Sequence, residues 1–137
     1  MIRRSRPVTI AKAAGLALAG LAVLAPAAAQ GPELAMLQSL EKGLWELRLR
    51  DKGGTSRICV KRGTELIQIQ HKQANCSRFV VEDLPGRVTV QYTCPGHGYG
   101  RTTIRREDAR LVQVQSQGIQ DNLPFDFAGE ARRVGSC

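Results

Sequence analysis

Residues 87–117 read RVTVQYTCPGHGYGRTTIRREDARLVQVQSQ, and this stretch decides the fold. Apolar and polar residues alternate along three segments of it, 87–94, 99–106 and 111–117, and that period is typical of half-buried β-strands. The short turns between the segments are rich in Pro, Gly, Glu and Asp, so consecutive strands are expected to pair antiparallel. In the last hairpin the expected inner side chains are Thr102, Ile104, Val112 and Val114, and the expected outer side chains are Arg101, Arg105, Gln113 and Gln115.

The same alternation extends on both sides of this stretch. Further strands are predicted near 44–50, 56–61, 78–82 and 125–134. A helix is predicted over 32–42, where leucines recur at every third position. Residues 64–70 suit a strand or a short helical turn equally well, and the turn is favoured. The fold class is therefore mainly β: an antiparallel, curved meander or half-barrel of six to seven strands, with an N-terminal helix, one short helical turn and two disulfides.

The beginning of the chain has the parts of a cleavable secretory signal. Four basic residues lie among the first twelve, an Ala- and Leu-rich run follows, and small residues at Ala27 and Ala29 suit signal peptidase. We predict cleavage between Ala29 and Gln30, so that 1–29 is the signal peptide and 30–137 is a single β-rich domain. The apolar run is short, rich in alanine and broken by a proline, which argues against a membrane anchor. The cleaved protein is predicted to be periplasmic and not an integral membrane protein.

Removing the leader changes the charge of the chain. The full sequence has 20 Lys and Arg against 12 Asp and Glu. Loss of the four basic leader residues leaves 16 against 12, a formal net charge of +4 over about 108 residues. An excess of this size does not indicate a nucleic-acid partner, and none is expected in an exported protein.

The cysteines indicate disulfides rather than a metal site. Cys59, Cys76, Cys94 and Cys137 all follow the predicted cleavage site, and their number is even. Zinc sites usually include two ligands from one tight turn, and no such close pair occurs here. We therefore predict two disulfides in an oxidising compartment, with no metal and no cofactor.

Three pairings of the four cysteines are open. The favoured one joins Cys76 to Cys94 across the hairpin that turns at 83–86, and joins Cys59 to Cys137. Strict alternation puts Cys76 out of phase with Phe79 and Val81. A β-bulge, or a position of Cys76 just before its strand, would remove that conflict.

Several short motifs recur together in one bacterial family. They are GLWE at 43–46, RIC at 57–59, the hairpin between Cys76 and Cys94, and the terminal ARRVGSC at 131–137. In this order they resemble bacterial domain-of-unknown-function family 3617, a group of small exported proteins with four cysteines. The similarity covers nearly all of the chain after the leader. The resemblance implies a small β-rich domain of the periplasm or envelope, and it carries no catalytic residue across.

The most unusual segment is PGHGYGR at 95–101. Alternate glycines around His97 and Tyr99 would suit a loop that holds a phosphate, but such a loop should open a helix, and a strand follows here. The segment is therefore interpreted as a glycine-kinked connection between strands. By spacing, neither His71 nor His97 completes a metal site or a Ser-His-Asp arrangement. An enzyme of unrecognised type, with a site near His97 and Tyr99, is the alternative function.

The function that the sequence favours is a non-catalytic binding or accessory module of the cell envelope. One form of this hypothesis is an apolar groove that binds a small apolar ligand. It requires that the protein's own side chains leave the groove empty. Its expected lining includes Leu47, Leu49, Ile104 and Val112.

The other form is a cationic sheet face that contacts anionic lipid head groups or an acidic envelope protein. Its residues are Arg101 and Arg105, with Arg132 and Arg133 expected nearby. The plainer interpretation is that these arginines only keep an exposed face soluble and protect a sheet edge.

Overall fold

The described part of the chain is one antiparallel sheet preceded by a short helix. The computed structural model describes residues 34–51 and 53–137. In chain order the elements are α1 Ala35–Gln38, β1 Gly43–Leu49, β2 Gly54–Val60, a 3-10 turn Thr64–Leu66, β3 Ser77–Leu84, β4 Arg87–Cys94, β5 Gly98–Asp108, β6 Leu111–Gln120 and β7 Leu123–Gly135. The predicted fold class is confirmed. The signal peptide 1–29 and its cleavage site at Ala29 and Gln30 lie outside the described residues.

The strand order determines which face of the sheet is covered. The order is β2-β1-β7-β6-β5-β4-β3, and the sheet is open. Because β2 and β3 lie at opposite edges, the connector 61–76 between them has to cross the sheet. It crosses the face on which the Thr102 hydroxyl donates to the Ile67 carbonyl over 2.6 Å. We call this covered side the inner face, and the opposite side the outer face.

The inner face forms the hydrophobic core. Trp45 and Leu47 of β1 are fully buried there, as the alternation predicts, and so are the four residues expected to point inward from β5 and β6. Leu37 from α1 and Leu66 from the connector are also fully buried. Burying each such side chain contributes roughly 1.5–3 kcal/mol, so α1 and the connector complete the core that the sheet begins.

The helix is shorter than the leucine spacing predicts. It ends at Gln38 rather than near residue 42. The Ser39 hydroxyl donates to the Met36 carbonyl over 2.6 Å, a local bond that competes with helix continuation. The Glu41 amide then donates to the Ala109 carbonyl over 2.8 Å, which draws the chain to the turn between β5 and β6.

Both favoured disulfides, Cys59–Cys137 and Cys76–Cys94, are present. The phase conflict around Cys76 is absent for another reason than the two considered: Phe79 and Val81 do not face the core, and Cys76 is in phase with Val80. β3 does begin at Ser77, but its register against β4 shifts only after Val80. Phe79 faces outward and is 70% exposed, while Val80 packs against the core.

The disulfides also indicate the kind of cellular compartment in which the protein works. Two of them fit a protein that works outside the reducing cytoplasm. In the part of the chain that the structure describes, no helix is long and apolar enough to cross a membrane.

Candidate functional site

The two histidines meet at the end of the sheet where β4 turns into β5. His71 is 1% exposed. Its Nε2 lies 3.1 Å from the carbonyl oxygens of both His97 and Ile119. Carbonyls only accept, so Nε2 carries the proton, and Nδ1 accepts a hydrogen bond from the Tyr92 hydroxyl at 3.0 Å. His71 therefore fastens the connector to β4, to the turn before β5 and to β6.

The hydrogen bonds continue from Tyr92 into the core. Thr102 and Ser116 share a hydroxyl–hydroxyl bond of 2.8 Å, and Thr102 is held by the Ile67 carbonyl. Burial raises the pKa of Tyr92 to about 12, and the hydrogen bond with Ser116 opposes part of that rise. The hydroxyls of Tyr92, Thr102 and Ser116 are thus engaged in hydrogen bonds within the core.

We expect stability to fall in alkaline solution because of Tyr92. Its pKa rises from 10.0 to about 12 on folding, so its contribution is complete below pH 10 and is lost as the pH passes through 12. Two pKa units correspond to about 3 kcal/mol. Urea unfolding at about pH 9 and about pH 11 measures the first half of this loss, about 1.4 kcal/mol. Tyr92→Phe should start less stable but lose less between these two pH values, and equal losses in both proteins would refute the assignment.

Close packing explains why glycines occur in the 95–101 segment. Gly98 has a φ of +107°, and a Cβ there would overlap the Ile119 carbonyl. At Gly100 a Cβ would lie 2.7 Å from the Tyr92 ring carbon Cε1 and closer still to its hydroxyl. The interpretation of this segment as a kinked connection is consistent with these contacts, since both glycines make room for the group around His71.

Gly100→Ala is expected to destabilise the protein by about 2 kcal/mol, because the new methyl group displaces the Tyr92 ring from a packed core. Gly135→Ala in β7 is the matched control, since nothing lies within 4 Å of its Cβ position. Its effect should stay within about 0.5 kcal/mol. Thermal unfolding compares the two variants, and similar losses would contradict the packing at Gly100.

His97 itself is exposed at the turn. Its Nδ1 lies 2.9 Å from the Asp121 carboxylate, and both side chains are largely open to solvent. Asp121 and Asn122 both have positive φ, which identifies the two-residue turn that joins β6 to β7. Sequence reasoning did not single out Asp121, although consecutive Asp and Asn between two alternating segments were a usable signal.

The described side chains around His97 form neither a nucleophile–histidine pair nor a metal-ligand group. Among residues 34–51 and 53–137, no serine, threonine or cysteine side chain is hydrogen-bonded to either histidine. The same residues contain no group of three or more His, Cys, Asp or Glu that could hold a metal ion. His71 and His97 meet through a backbone carbonyl and not through their rings. The geometry gives the enzyme hypothesis no specific support.

The apolar groove expected on the inner face is filled. Leu47, Ile104 and Val112 are fully buried, and Leu49 packs partly against the same core. The side chains that cover them come from α1 and the connector, which the alternation of the strands alone did not place. This form of the binding hypothesis is therefore wrong.

The outer face carries the arginines that the sequence singled out. Arg105 is directly opposite Arg87 across β4 and β5, an arrangement in which like charges repel. Both arginines form ion pairs with carboxylates: Arg87 lies 2.5 Å from Glu82, and Arg105 lies 2.9 Å from Glu107. The hydrogen bond from Arg87 lowers the pKa of Glu82.

The expectation that Arg132 and Arg133 join the same face is half right. Arg132 is exposed and lies 3.2 Å from Glu130, whose pKa this contact lowers. Arg133 is only 22% exposed, and its Nε donates to the Lys42 carbonyl over 2.8 Å. Consecutive residues of a strand point to opposite faces, so Arg133 cannot share the outer face with Arg132.

Two arginines of the outer face have no carboxylate partner in the described part of the chain. Arg50 and Arg101 form no ion pair with any residue that the structure describes. The Arg50 guanidinium donates to the Gln113 side chain. Arg50 lines a shallow depression of about 270 Å³ together with Arg87 and Arg105. Arg101 lines a second depression of about 490 Å³.

No family model matches this chain, and neither a curated protein nor a solved structure is similar to it. The resemblance to the exported four-cysteine family therefore stays a prediction.

Proposed function

We propose that the protein is an exported, non-catalytic binding module of the cell envelope whose outer face contacts anionic lipid head groups. Two disulfides suit such a compartment. The inner face is filled by α1 and the connector, and the buried histidine and tyrosine serve the packing of that core. The outer face is the surface that is left for a partner.

One observation carries this proposal: two arginines without a carboxylate partner among the described residues share the outer face with two arginines that face each other. Arg50 and Arg101 have no ion pair among the described residues, and Arg87 and Arg105 lie opposite each other on neighbouring strands. An anionic surface would supply phosphate oxygens that accept from Arg50 and Arg101, and it would add to the carboxylates that already balance Arg87 and Arg105. Each cation near an anionic bilayer contributes about 1 kcal/mol to binding, so an array of arginines on one face is enough for reversible attachment.

Flotation with vesicles tests the proposal. The protein, produced from the full-length sequence and purified under oxidising conditions, is mixed with phosphatidylglycerol-containing vesicles or with neutral phosphatidylcholine vesicles. We expect it to float only with the anionic vesicles and to be released by moderate salt, because exposed charges are screened.

A double variant and its control locate the contact. Arg50→Ser with Arg105→Ser should weaken vesicle binding roughly 30-fold, from about 1 kcal/mol per residue. Lys61→Ser with Lys72→Ser removes the same charge from exposed residues of the connector and should bind like the unchanged protein. Equal recovery with neutral and anionic vesicles, or equal weakening by both double variants, would overturn the proposal.

A further inference from the structure

The second depression of the outer face contains a row of four hydrogen-bonding side chains. Gln91 of β4 is opposite Arg101 of β5, Arg101 is opposite Gln117 of β6, and Gln117 is opposite Asp126 of β7. Neighbouring strands lie about 4.8 Å apart, so the row extends over about 14 Å. Amide, guanidinium and carboxylate groups supply both donors and acceptors along that length.

An aromatic ring borders this row. Tyr99 lies two residues from Arg101 along β5, on the same face, and is 49% exposed. Gly118 and Phe125 of the next two strands also line the depression. The depression of about 490 Å³ falls within the size range of small-molecule sites, about 300–1,000 Å³.

Arg101 requires a negative charge on the ligand. Its guanidinium has no ion pair with a described residue, and guanidinium groups bind carboxylates through two parallel hydrogen bonds. A matching ligand has an apolar face for the Tyr99 ring, hydroxyl groups for the two glutamines, and a carboxylate for Arg101.

We propose that this depression binds an acidic sugar, a pyranose ring that carries a carboxylate. The ring packs on Tyr99, the carboxylate pairs with Arg101, and the hydroxyl groups bond to Gln91 and Gln117. This site goes beyond the lipid contact proposed above and does not depend on it, because the sugar is recognised by groups in one depression rather than by the charge of a whole face.

An NMR titration of the ¹⁵N-labelled protein, produced from the full-length sequence and oxidised, tests the site. The probes are methyl β-D-glucuronide and methyl β-D-glucoside, which differ only in the carboxylate. We expect the glucuronide to shift the amide signals of Tyr99, Arg101 and Gln117 with a millimolar dissociation constant. The glucoside should bind at least about tenfold more weakly, because it lacks the charge-assisted pair.

Variants separate the two parts of the recognition. Arg101→Gln should abolish the preference for the glucuronide, and Tyr99→Ala should weaken both sugars, whereas Tyr99→Phe keeps the ring and should bind like the unchanged protein. Arg106→Gln, on the same strand but beside α1, is the matched control for charge. Absence of shifts with the glucuronide, or equal binding of both sugars, would overturn the site. No vesicles are present, so failure here leaves the flotation result standing, and the reverse also holds.

Discussion

Replacing Cys59 and Cys137 with serine is expected to lower the free energy of unfolding by about 4–5 kcal/mol. This disulfide joins residues separated by 78 positions, and closing so long a loop removes much of the entropy of the unfolded chain. Cys76–Cys94 closes a loop of only 18 positions, for which the same reasoning gives about 3 kcal/mol. For a domain of this size, either loss is a large part of the total stability.

The comparison of the two double variants is the test. Urea unfolding of Cys59→Ser/Cys137→Ser and of Cys76→Ser/Cys94→Ser gives both losses under the same conditions, with the fully reduced protein as the lower limit. We expect the long-loop variant to be the less stable one. The opposite order would mean that the buried position of Cys94 matters more than loop length, and would contradict the entropic explanation.

His71→Ala is expected to cost about 4 kcal/mol, the other large effect in this protein. The substitution leaves a cavity and removes the donor that both the His97 and Ile119 carbonyls use. Each buried polar group left without a partner costs about 1–3 kcal/mol. The Tyr92 hydroxyl loses its hydrogen-bond partner as well. All three hydrogen bonds by which the His71 ring holds the connector to the sheet are therefore lost together.

His97→Ala is the matched control, since it removes the same side chain from an exposed contact with Asp121. Its cost should stay below about 1 kcal/mol. Chemical unfolding at neutral pH gives both values, and amide hydrogen exchange reports whether residues 61–76 open first in the His71 variant. Equal losses for the two histidines would show that His71 does not hold the connector.

The strands could be predicted from the sequence because the two faces of the sheet differ strongly in polarity. Trp45 and Leu47 alternate with charged residues, as Ile104 and Val112 alternate with arginines and glutamines, and these residues are buried in the structure. A one-residue error in phase would have moved apolar side chains to the outer face, so the pattern itself specifies the phase.

The order of the strands could not be predicted in the same way. β1 pairs with β7 at the far end of the chain, and this placement sends the connector across the inner face. Nothing local at residues 61–76 indicates that path, because their apolar residues suit a strand or a helical turn equally well. The role of His71 depends on the path of the connector across the inner face, so residue spacing could not predict it.

The outer face was predicted in part. Alternation placed Arg101 and Arg105 correctly, and the same rule, applied to two consecutive residues, would have kept Arg133 off this face. Arg50 was not foreseen, because its bond to the Gln113 side chain on β6 spans β7 and therefore requires the β1–β7 pairing. Residues that belong to one surface only through long-range pairing carry no signal in a single sequence.

Export with oxidation of all four cysteines is the premise on which the proposed function rests. Intact-mass analysis of the protein purified from its native envelope, after treatment with iodoacetamide under denaturing but non-reducing conditions, tests it most directly. We expect a chain that begins at Gln30 and carries no alkylated thiol. A chain that retains residues 1–29 and carries four alkylated thiols would contradict this premise.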